Sequence, residues 1–156
     1  IDPDGKDDYI VDSRGRLHFY AKGDVKKPDR LYNFSETVKN PIGDNNIAVS
    51  DKNLLPGMLD VQNRKNAGYR TYGITQNLKD AAEVFNFVVT NSDAEWKLNV
   101  YNYHGKYTAI LATKQDADHV QNSDLMQQEL SIQGNRIIDI HSHTNANGTK
   151  GLFVKK

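Results

Sequence analysis

Arg136-Ile137-Ile138-Asp139-Ile140-His141-Ser142-His143-Thr144 is the stretch on which the reading of this chain turns. Its β-branched first half predicts a strand over Arg136 to Ile140 that ends at two histidines one residue apart. Side chains alternate faces along a strand, so residues i and i+2 point the same way. His141 and His143 can therefore aim their imidazoles at one point, with Ser142 turned away or toward a neighbouring loop. Neutral imidazole is a common metal ligand, and two on one rigid element make half of a tetrahedral zinc site. The same string also describes two exposed loop histidines after a buried strand, and HxH alone does not separate these readings.

Composition narrows the field. A chain of 156 residues with 37% hydrophobic content supports one domain with a modest core and room for an appendage. Lys+Arg and Asp+Glu are equal at 20 each. No basic field marks a nucleic-acid partner, and no apolar run approaches membrane-spanning length, so neither nucleic acid nor membrane is expected as a partner. Absence of cysteine removes disulfides, thiolate metal sites and a cysteine nucleophile together.

Working back from the histidines, Ser123-Asp124 predicts the start of a short helix over Leu125 to Gln133, stopped by Gly134. Before it, Glu95 to Tyr101 alternates as a strand with Trp96, Leu98 and Val100 on one face and Glu95, Lys97 and Asn99 on the other. Asn102 to Lys106 is a turn, and Tyr107 to Thr113 the return strand. Leu78, Ala81, Ala82, Phe85, Val88 and Val89 recur at three- and four-residue steps, predicting an amphipathic helix capped by Thr75 or Asn77, with Tyr69 to Ile74 leading into it. Glu83 reads as a surface residue of that helix, and His18, His104 and His119 as surface histidines.

The N-terminal half reads as β-rich. Tyr9 to Asp12 and Leu17 to Ala21 flank Ser13-Arg14-Gly15-Arg16 as a hairpin, and Arg30 to Phe34 predicts a third strand. From Ser35 to Gly68, repeated Asn, Pro and Gly predict irregular cover, with a short strand at Ile47 to Val49 and a helical turn within Leu54 to Val61.

Two resemblances follow from these residues. The opening Ile1-Asp2-Pro3-Asp4-Gly5-Lys6 resembles the end of the core of Rhs/YD-repeat proteins, where a variable C-terminal effector begins. That implies an excised C-terminal module, with residues 1–8 as the end of the core or a linker. The order from Asn77 onward (helix, two strands, polar link, helix, strand, HxH) is similar to the JAB/MPN metallopeptidase fold. The "DIHSH" string matches that family's strand-end histidines, and Glu95, 46 residues before His141, stands where the family places its catalytic glutamate. The combination resembles the JAB-like toxin domains of polymorphic toxin systems.

The resemblance implies an α+β fold: a mixed sheet with flanking helices and a JAB/MPN (cytidine-deaminase-like) core over 71–156, preceded by a β-rich region over 9–70. It implies zinc held by His141 and His143, and Glu95 as general base for hydrolysis of an amide bond in a target-cell protein. It also implies a secreted or cell-surface carrier and an immunity protein as partner. Two departures stand against it. Thr144 replaces the family's proline, and no Asp, Glu or Ser follows Thr144, so the family's distal Ser-x-x-Asp is missing. Asp139 and Ser142 are then candidates for supporting the histidines from behind. The chain is read as truncated, as an inactive relative, or as recruiting an acidic ligand from its first half, and is expected to hold metal weakly or not at all. A non-catalytic protein-binding module and a nuclease-type effector are the alternative functions, the latter disfavoured by the neutral charge.

Overall fold

The computed structural model describes residues 7–23, 26–34, 41–64, 71–114, 123–144 and 150–154. The opening turn at Ile1 to Lys6, His119 and Thr149 lie outside the described residues. The first sheet contains β1 (Asp7–Val11), β2 (Leu17–Lys22), β3 (Asp29–Phe34) and β4 (Pro41–Val49), ordered β2-β1-β3-β4. β1 and β2 form the expected hairpin. Its turn is closed by Asp12, whose Oδ1 accepts from the backbone N–H of Arg14 at 2.9 Å and of Arg16 at 3.0 Å. Gly15 turns the chain at φ +78°, a conformation that costs a residue without Cβ nothing. β3 then runs parallel to β1, and β4 returns antiparallel to β3.

Within the segment read as irregular cover, the expected short strand and helical turn both extend into longer elements. They are β4 and a helix, α1 (Leu54–Arg64), which buries Leu54, Leu55, Met58 and Val61 at helical spacing. Pro56 lies in the first turn of α1, where a helix needs no N–H from it, so the proline that argued against a helix is compatible with one.

The second sheet contains β5 (Thr71–Thr75), β6 (Trp96–Tyr103), β7 (Lys106–Thr113), β8 (Asn135–Thr144) and β9 (Lys150–Val154), ordered β5-β7-β6-β8-β9. Two helices interrupt it in sequence, α2 (Leu78–Asn91) and α3 (Ser123–Glu129). The fold is α+β, as expected. Every neighbouring pair in this second sheet is antiparallel, so the expected mixed sheet is not found here; the one parallel pairing lies in the first sheet, between β1 and β3. Thr71 to Thr75 is a strand rather than a lead-in to α2. Asn77 is the cap: its Oδ1 accepts from Asp80 N at 3.0 Å. Glu83 is a surface residue as read, paired with Lys79 at 2.9 Å.

The two sheets share one core. Val11, Leu17, Leu31 and Val49 from the first sheet meet α1, α2, and Trp96, Leu98, Val100, Ala109 and Leu111 from one face of the second. The opposite face of the second sheet packs a smaller group, Tyr101, Ile110, Ala112 and Met126, beneath α3. That division makes β6 a central strand buried on both faces, one apolar and one polar.

Gly73 on β5 marks the closest approach of α1 to this sheet. A Cβ there would lie 2.5 Å from Met58 Cγ and 2.7 Å from Leu54 Cδ1. Gly73→Val is expected to destabilise the fold by about 1–3 kcal/mol, the range for overpacking a filled core. A urea unfolding midpoint equal to that of the parent would contradict this packing.

Candidate functional site

The register between β6 and β8 builds the site. Lys97 pairs with His141, Leu98 with Ile140 and Asn99 with Asp139. Continuing that register one pair on either side of Trp96 and Ser142 brings Glu95 level with His143. Nδ1 of His143 donates to Glu95 Oε1 at 2.7 Å. An ionised carboxylate only accepts, so in this contact Nδ1 carries the proton and Nε2 faces away from Glu95. Both histidines lie within β8, flanked by β9, rather than past the end of a strand: His141 pairs with Phe153 and His143 with Gly151. The rings of His141 and His143 meet edge to face, centroids 4.6 Å apart, as i and i+2 positions on one strand face require.

Glu95 is 2% exposed and tightly held by its surroundings. Its carbonyl accepts from Thr113 Oγ1 at 2.7 Å. The next residue, Trp96, is fully buried, and its indole N–H donates to Ser92 Oγ at 3.0 Å. The β1–β2 turn abuts this segment. Asp93 N donates to Ser13 O at 2.6 Å, and a Cβ at Gly15 would lie 2.8 Å from Ala94 Cβ and 3.3 Å from Trp96 Nε1. The N-terminal sheet thus fixes the loop that delivers Glu95.

Ser142 faces away from the histidines. Its Oγ accepts from Trp96 N at 3.0 Å, and it is 1% exposed. It supports β6 rather than an imidazole. Asp139 is buried in a polar group of its own. With its amide nitrogen turned toward Asp139, Asn99 donates to Oδ1 at 2.9 Å, while Ser123 Oγ lies 3.4 Å from Oδ2. Lys97 Nζ is 3.9 Å from Oδ1 and Arg136 Nε 3.8 Å from Oδ2.

The sequence reading overlooked two members of this group. Lys97 is 7% exposed and donates from Nζ to Ser123 Oγ at 2.6 Å. Ser123, the first residue of α3, thereby ties that helix to the sheet. A signal for Lys97 was present: the polar alternation Glu95-Lys97-Asn99 matches Asp139-His141-His143 pair for pair. Ser123 carried only a capping signal. A β-bulge places Ile137 outside the pairing and rotates Arg136 onto this same polar face.

Burial holds the His141 imidazole below its ordinary pKa of 6.5, reinforced by the neighbouring His143 and Lys97. His18 and His104 lie away from this face. His18 bonds Asp12 at 2.8 Å beside the β1–β2 turn, and His104 is in the β6–β7 turn at φ 51°.

The donor set fits a divalent metal as two adjacent imidazoles, one of them oriented by a carboxylate. It does not fit a closed cage. Among the described residues, no three His, Asp or Glu side chains are gathered to hold a metal, because Glu95 is spent on His143 and Asp139 on its own partners.

A sequence profile of the family described as JAB-like toxin 1 matches residues 73–156, from β5 to the last residue. The chain belongs to the JAB-like toxin 1 family. The matched span contains Glu95, the HxH pair and the whole polar face. No curated protein and no solved structure matches this member of the family.

The lowered pKa of His141 has a consequence for stability. Between its folded value and 6.5, the unfolded chain binds more protons than the folded one, so stability is complete above about pH 6.5 and falls as pH drops below it. His141→Gln should flatten that slope. Urea midpoints measured on either side of pH 6.5, for parent and variant, check this; equal slopes would refute it.

Proposed function

We propose that this chain is the effector tip of a larger secreted or surface-borne carrier, and that it acts as a hydrolase of the zinc peptidase type on a protein of the target cell. The reading is supported by membership of a JAB-like toxin family together with one contact, the 2.7 Å bond from His143 to the buried Glu95 beside His141. His141 and His143 would hold the metal through ring nitrogens turned to the same side of β8. A bound zinc would supply Lewis acidity and a water acidic enough to ionise near neutrality.

The remaining roles belong to the chain itself. Glu95 keeps the proton on Nδ1 of His143 and so presents Nε2 outward. To serve as general base as well, Glu95 would have to release Nδ1 of His143 before taking a proton from a nucleophile and returning it to the leaving amine. Toxicity of such a domain to its producer would call for a cognate immunity protein, and the Rhs-like opening suggests the carrier class.

A second reading has its own observation. Asp139 is committed to Asn99, Lys97 and Arg136, and no third acidic donor reaches the histidines among the described residues. That arrangement favours a non-catalytic member of the family that binds a protein partner. The neutral net charge gives no support to the nuclease alternative.

The two readings separate on cytoplasmic expression in a bacterial host. The hydrolase reading expects growth arrest that is lost in Glu95→Gln and in His143→Ala, each losing at least about 100-fold in activity, the usual weight of a general base. Arrest that is undiminished in both variants, with folding intact by circular dichroism, would remove these residues from the mechanism and leave the binding module.

A further inference from the structure

Among the described residues, the polar face of β6 and β8 holds cations as well as carboxylates. Its charged members are the carboxylates Glu95 and Asp139 and the cations Lys97 and Arg136, and Arg136 is also paired with Asp124 of α3 at 2.9 Å. One of the two cations, Lys97, is 7% exposed and stands directly across the ladder from His141. Its ammonium is anchored rather than free to swing out, because Nζ donates to Ser123 Oγ at 2.6 Å and lies 3.9 Å from Asp139. A divalent ion arriving at the histidine pair would have to settle beside this fixed positive charge. At low solvent exposure, that repulsion is weakly screened.

We propose that Lys97 occupies the electrostatic place of a metal on this face and sets the affinity of His141 and His143 for divalent cations low, making the pair a weak, readily exchanging site. This rests on the reading of the two histidines as a metal-binding half-site. It goes beyond that reading by naming the residue that governs affinity. Asp139 is the counterweight. It is the carboxylate beside Lys97, at 3.9 Å, while Arg136 also has Asp124 at 2.9 Å, so removing the charge of Asp139 leaves Lys97 less compensated and weakens metal binding further.

The test uses zinc alone as the probe, with affinity measured on the intact 156-residue chain by competition against a chromogenic chelator. Lys97→Gln keeps a polar partner for Ser123 and removes the charge, and Lys97→Met removes both; Lys97→Arg keeps the charge. The proposal expects both neutral variants to bind zinc at least about tenfold more tightly than the parent, a modest allowance for one nearby unit charge. Lys97→Arg should stay close to the parent. Asp139→Asn, which leaves Lys97 untouched, should move the affinity the other way. Circular dichroism establishes that each variant is folded, and the Asp139 result stands if a Lys97 variant is not.

Zinc affinity unchanged or weakened in folded Lys97→Gln, or unchanged in folded Asp139→Asn, overturns the proposal. A His141→Ala/His143→Ala double variant separates the two levels. If it abolishes zinc uptake while Lys97→Gln leaves affinity unchanged, the half-site stands and Lys97 does not govern it. If zinc uptake survives the double variant, the metal lies elsewhere and both readings fall.

Discussion

Lys97 faces His141 and Asn99 faces Asp139 across the β6–β8 ladder, and the rest of the molecule accommodates that register. A slip of one residue would turn every β8 side chain to the other face. The histidines would then point into the core shared with α1 and α2, and Ile140 would emerge among the charged groups. The register is pinned from both faces. On one, Leu98 and Val100 are packed against helices; on the other, each polar residue meets a partner of matching chemistry. Ser142 adds a third constraint, since its hydroxyl reaches Trp96 N only in this alignment.

The N-terminal sheet acquires a role from the same geometry. Its hairpin turn presses Gly15 onto Ala94 and Trp96 and holds Asp93 by a backbone bond, directly before Glu95. A carboxylate that must meet an imidazole at hydrogen-bond distance needs a rigid support, and a loop alone gives little. Here the support comes from residues more than 75 positions away in sequence, as the separation of Gly15 from Trp96 shows. The family match begins only at β5, so this member builds its glutamate loop partly from outside the matched span.

Several parts of this arrangement were legible in the chain. The periodicity of α2, the alternation of β6 and β7 and the Gly15 hairpin each carry a strong local pattern, and the HxH pair and Glu95 follow from strand alternation and family resemblance. Other parts depended on distant contacts. Only a turn of α1 is legible, because Pro56 and Gly57 read as a break, while its burial of Leu54, Met58 and Val61 is set by β5 and β2 packing around it. β9, and β4 before Ile47, lack a distinctive pattern and exist through their neighbours' hydrogen bonds. Lys97 was visible as a residue of the polar face, but its burial depends on Ser123 descending from α3, which no local rule reports.

β6 and β8 are separated by a helix and a strand, so the contact between Glu95 and His143 closes only when a long loop of chain closes with it. Bringing such distant segments together costs configurational entropy before any contact rewards it. Glu95 and His143, 48 positions apart, consequently have no reason to meet in an unfolded chain. With no cysteine to cross-link a partial fold, these residues stay scattered along the unfolded chain and come together only through the fold itself.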